Sequence, residues 1–181
     1  MCNNKYINNI NNLDTNDYFA FFYEPDIRIP TYYNSSLLDL CILNSCIDKW
    51  PKATVIYTDA SKTSEGTGCA FYIPSKSTEK MFKLPSNCSI FSAEAIAILE
   101  SLIYFDSLNN NSVLIISDSL SVLLCLKNSK LPNYNSNPFI YQIKNMLVKL
   151  KNKNKTTNFI WVKAHVGIKY NEHVDSLAKA I

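Results

Sequence analysis

The sequence is sparing with two residue types. It holds three glycines and two histidines in 181 residues. Its six cysteines (Cys2, Cys41, Cys46, Cys69, Cys88 and Cys125) form no Cys-x-x-Cys pair and no regular spacing with histidine. That argues against a zinc site. The start, MCNNKYINNINNLDTND, lacks the apolar stretch of a secretory signal, and no run approaches the length of a membrane span. The expected setting is intracellular, without a membrane partner and with reduced, mostly buried thiols. Charged residues reach only 18% against 47% hydrophobic, which excludes a disordered chain and suits one globular domain with an appendage. The net charge of +3 permits a nucleic-acid partner without demanding one.

What is present divides at Pro51. Residues 1–17 are Asn-rich and expected to be mobile. Residues 18–33 are aromatic and broken by Pro25 and Pro30, hence extended and irregular. Residues 35–50 place Leu37, Leu40, Cys41 and Ile47 at a helical period. Residues 1–52 are thus expected to form a tether, and 53–181 the main domain.

In the main domain, ATVIYTD (53–59) alternates, with Val55, Tyr57 and Asp59 on one strand face. Strands are predicted at 68–74 and 78–84, with Gly66 and Gly68 in the first turn. A helix over 92–108 would take Ser92 as its N-cap. VLIISD (113–118) reads as a buried central strand, followed by a helix over 119–128 and a loop over 131–138. A basic amphipathic helix (139–153), a strand (157–165) and a helix from Glu172, cut short by the chain end, complete the order βββαβααβα. Such an order gives a mixed sheet carrying helices, an α/β fold.

Asp59 and Asp118 end two of these strands. If the strands are parallel neighbours, both acids stand at the sheet edge where α/β proteins bind ligands. Glu94 and Asp175 are predicted in the first turns of their helices. Glu100 lies six residues beyond Glu94, about 600° around the helix, and so faces away. Any one of these acids has an ordinary explanation, since first-turn acids favour the helix dipole and a strand-end Asp starts turns. Four acids at one place repel each other unless a cation is present. Mg²⁺ suits such oxygen donors, and two ions about 4 Å apart can serve an in-line phosphoryl displacement.

With YTDASK, SAE, ISDSLS and WVKAHVGIKYNEHVDSLAK in this order, residues 53–181 resemble ribonuclease H. The nearest likeness is to the ribonuclease H domains of non-LTR retrotransposon reverse transcriptases. The resemblance implies a ribonuclease H-like fold, with a five-stranded mixed sheet whose first three strands are antiparallel. It implies endonucleolytic cleavage of the RNA strand of RNA–DNA hybrids with two Mg²⁺ ions, Mn²⁺ being the substitute. It further suggests a monomer working with a reverse transcriptase polypeptide.

By position, Asp59 resembles the acid shared by both metals, Glu94 and Asp118 the ligands of the metal at the leaving side, and Asp175 the fourth acid. His165 resembles the mobile histidine that moves a proton or releases product. His173 has no counterpart and is expected to be exposed. Ser61 and Asn171 would either read a 2′-hydroxyl or sugar in the minor groove, or simply cap turns. Lys144, Lys149, Lys151, Lys153 and Lys155 read as a solvated helix end rather than a phosphate-binding strip. Phe159 and Trp161 read as core.

Tyr170 stands where the family has a glycine, and Val174 where it has a small residue. A glycine there suggests φ > 0, which a residue with a Cβ adopts at a cost of roughly 1–2 kcal/mol. These departures, with the short last helix, leave a second reading open: a catalytically degenerate nucleic-acid-binding remnant. A transposase-like nuclease is disfavoured by the final His-x-Gly…Asn-Glu…Asp pattern.

Overall fold

The computed structural model describes residues 23–30, 36–128 and 137–181; expectations for residues 1–22, 31–35 and 131–136, and for the Leu37 side chain, fall outside them. Strand β1 spans Asp26–Arg28 and helix α1 Ser36–Ile47. The alternating segment forms β2, Thr54–Lys62, which turns at Thr63–Gly66 into β3, Thr67–Ile73. β4 spans Thr78–Leu84, α2 Ile90–Asp106, β5 Ser112–Ser117 and α3 Leu120–Lys127. Helix α4 spans Pro138–Asn152, β6 Thr156–Trp161 and α5 Lys169–Lys179. The sheet order is β1-β6-β5-β2-β3-β4. β2, β3 and β4 pair antiparallel, while β1–β6, β6–β5 and β5–β2 pair parallel.

This is the expected mixed sheet, with one strand more. Asp26–Arg28, bracketed by Pro25 and Pro30, sits at the sheet edge, where a proline's missing N–H does no harm. Ile27 lies opposite Phe159 and is buried. Strand alternation divides the core between the two faces. On one, Ile56, Phe71 and Ile115 meet Leu102 and Phe105 of α2 and Leu147 of α4. On the other, Tyr57, Leu114 and Ile160 meet Val174 and Ala178 of α5 and Leu43 of α1. Phe159 is fully buried as expected, and Trp161 packs half-buried against the first cluster.

Several boundaries differ from the sequence reading. Helix α2 is capped by Ser89, whose hydroxyl accepts the Ser92 N–H at 3.1 Å, so Ser92 lies inside the helix. β6 ends at Trp161, and α5 begins at Lys169 because the Asn171 and Glu172 amides already bond to the Ile168 carbonyl. Gly68 belongs to β3, not to the turn. A Cβ there would come within 2.6 Å of the Ala178 carbonyl oxygen, so this glycine lets the end of α5 approach the sheet. The thiols are less buried than expected. Cys69 is enclosed, but Cys41 on α1 and Cys125 on α3 face solvent, with Cys46 and Cys88 between these extremes.

Candidate metal centre

Parallel pairing of β2 with β5 sets Thr58 opposite Ser117, so Asp59 and Asp118 follow side by side. Asp118 leaves the end of β5 as expected. Asp59 lies within β2, since β3 continues to pair with that strand as far as Lys62. Glu94 and Asp175 occupy second turns rather than first turns, because both helices start earlier than predicted. The dipole explanation therefore fails for both and applies only to Glu172.

One carboxylate oxygen from each of Asp59, Glu94 and Asp118 lies within 4.8 Å of the others. Among the described residues this is the one group of three or more His, Cys, Asp or Glu side chains that could hold an ion. A cleft of about 300 Å³ opens over it, lined also by Asp175, His165, Ile90 and Phe91. Glu100 does not line it, as its helical angle predicts.

Burial and mutual repulsion hold these acids towards their neutral forms. Asp59 is pushed up to about 7, first by burial and then by Asp118, against the opposing Ala60 N–H at 2.7 Å. Burial and then Asp59 raise Glu94 well above the usual carboxylate range. Asp118 is raised by burial, opposed by the Asn171 amide that donates to it at 3.1 Å. Glu94 Oε2 is buried without a hydrogen-bond partner. An all-carboxylate donor set with an orphaned oxygen fits a hard divalent cation.

A ribonuclease H family model matches residues 51–181. The chain belongs to the RNase H family. A comparison with curated proteins finds no match.

The other anticipated residues of this RNase H domain fall around the triad in different ways. Asp175 lies on the cleft wall, outside the close group, with Lys179 Nζ at 2.6 Å from its Oδ2. His165 is exposed on the same cleft in a left-handed conformation, φ 55°. Asn171 is buried, with its amide on Asp118. Ser61 is half-buried on β2 opposite Gly68 and does not line the cleft.

Sequence reasoning missed Lys179, although its i,i+4 spacing from Asp175 was a usable signal. It also missed Glu172, whose Oε1 accepts the Gly167 N–H at 2.8 Å.

Both departures from the family pattern pack without distortion. Tyr170 does not have positive φ; it lies in the first turn of α5, its ring 5.5 Å from Tyr57 and 5.7 Å from Tyr72. In the link before α5 the left-handed residues are instead His165 and Gly167 (φ 83°). Val174 is fully buried in the core. His173 is not freely exposed, since it bonds Glu79 at 2.8 Å and meets Tyr72 edge-on at 4.6 Å.

The lysine run is not a simple solvated helix end either. Lys144 is buried, with Nζ donating to the Asn128 carbonyl at 2.6 Å. Lys149 and Lys153 pair with Asp106, Lys155 donates to three carbonyls at the end of α2, and Lys151 lies over Tyr23. No helix among the described residues is long and apolar enough to cross a membrane.

Proposed function

We propose that this RNase H domain cleaves the RNA strand of RNA–DNA hybrids with two divalent cations, Mg²⁺ or its substitute Mn²⁺. The observation that carries the reading is the close triad of Asp59, Glu94 and Asp118, whose carboxyls burial and then mutual repulsion push upward and which opens to a cleft with His165 and Asp175 on its wall. Asp59, Glu94 and Asp118 would hold one ion, and Asp59 with Asp175 the second. Ions bound there supply charge compensation for an in-line displacement at phosphorus.

The chain's own groups do the rest. Asn171 Nδ2 fixes the Asp118 carboxylate, so that acid keeps its aim as charge changes around it. A ring nitrogen of His165, exposed at the cleft, moves a proton at the departing oxygen. Ile90 and Phe91 give the cleft an apolar wall for sugar faces, and Ser61 lies further along β2 to meet a 2′-hydroxyl. On motif order we place the domain in a non-LTR retrotransposon polyprotein beside a reverse transcriptase, and we take it to act as a monomer inside the cell.

Labelled RNA–DNA hybrid, duplex DNA and single-stranded RNA, each incubated with Mg²⁺, test the reading. Cleavage should be confined to the RNA of the hybrid and fall by orders of magnitude in Asp59→Asn. Comparable cutting of duplex DNA would point to a transposase-like nuclease. Hybrid binding without cleavage would point to a degenerate remnant.

A further inference from the structure

His165 is carried by the link 162–168 between β6 and α5, and this link is under backbone constraint. His165 has φ 55° and Gly167 φ 83°, so two of its residues are left-handed. A residue with a Cβ keeps that conformation only where the surroundings fix it. Ala164, His165 and Gly167 are exposed, and in this part of the link only the half-buried Val166 packs against the core. Ile168, the residue that precedes α5, has an apolar side chain and caps nothing.

Glu172 adds a directional hold on the backbone beside the Val166 anchor. Its main-chain amide bonds to the Ile168 carbonyl at 3.0 Å, which places its side chain beside the link. Its Oε1 then accepts the Gly167 N–H at 2.8 Å, two residues from His165. The contact lies on the solvent side, away from the carboxylate triad and outside the cleft lining.

We propose that Glu172 is a positioning residue for the hydrolysis set out above, on which this inference rests: by holding the Gly167 amide it keeps His165 over the cleft, facing Asp118. The ordinary alternative is that Glu172 only stabilises α5 as an acid near its positive end. The two separate cleanly, because glutamine keeps the acceptor oxygen and loses the charge. On the positioning account Glu172→Gln retains the parent kcat. Glu172→Ala lowers kcat by about 10- to 100-fold, the scale of a small misplacement of a reacting group, with KM for the hybrid unchanged. In a His165→Ala background, Glu172→Ala should cost nothing further, since the group it places is gone.

A second readout does not need turnover. Added Mn²⁺ should broaden the His165 ring signals in NMR spectra of the parent and of Glu172→Gln, and broaden them much less in Glu172→Ala. Equal broadening in all three proteins, or an undiminished Glu172→Ala penalty without His165, overturns the proposal. If the parent binds Mn²⁺ but does not cleave hybrid, the function proposed above fails, while the broadening still decides the role of Glu172.

Discussion

Asp59 joins burial to close negative neighbours, and its folded carboxyl is raised to about 7 from an ordinary value near 3.8. A raised carboxyl contributes stability below the lower of these values and loses it as pH climbs through the higher one. Without divalent cation, the melting temperature should therefore fall as pH rises from about 4 to about 7, through this group's share. Asp59→Asn should flatten that part of the curve and melt higher than the parent at pH 8 in a chelator. Melts of both proteins across pH check this, and parallel curves would show that Asp59 is not under strain from its neighbours. At the cleft wall, Lys179 is half-exposed and already neutralises Asp175. Lys179→Met should change stability by no more than about 0.5 kcal/mol, as befits an exposed i,i+4 pair. It should also let Mg²⁺ bind at lower concentration, read by calorimetric titration. An unchanged titration would mean that Asp175 takes no part in holding the ion.

Helix α5 brings Asn171 and Asp175 to the site, holds Glu172 beside the preceding link and seats Tyr170 between Tyr57 and Tyr72. The family's glycine implied strain at Tyr170, which Tyr170→Gly would relieve; the packing reverses the sign of that substitution. Glycine in a helix costs about 1 kcal/mol relative to alanine, and each lost aromatic contact adds roughly 0.5–1.5 kcal/mol. Urea melts of Tyr170→Gly should show a loss of a few such increments, with cleavage no faster than the parent's; a faster enzyme would restore the strain account. Order and type of elements were legible because alternation in β2 and the apolar run of β5 are strong periodic signals. Helix starts were not. Ser89 and Ser92 are both plausible caps three residues apart, and α5 starts after Ile168, which carries no capping group. At the site, the acids and His165 could be found from motif order, whereas the burial of Asn171 and the reach of Lys179 and Glu172 depend on side-chain directions that only packing fixes.

Across the molecule, the family match begins at residue 51, yet Ile27 and Leu43, both upstream, are buried in the two main core clusters. Arg28 also lies over the Trp50 ring, 4.8 Å from its centroid. A chain starting at residue 51 should lose roughly 1.5–3 kcal/mol for each such buried side chain and leave β6 as a bare edge prone to aggregation. Thermal melts with light scattering would show it, and an unaltered melt would return residues 23–50 to the status of a tether. The same pairing has a consequence for the order of events during synthesis. Asp26 sits opposite Asn158, so the first described strand waits for the last one. The β2–β3–β4 meander joins neighbours in sequence and can assemble while the rest is still being made. β1 has no partner in that interval. It leaves the ribosome before β6 as a short segment between two prolines, with Asp26 and Arg28 flanking Ile27, and its backbone stays unpaired until β6 arrives.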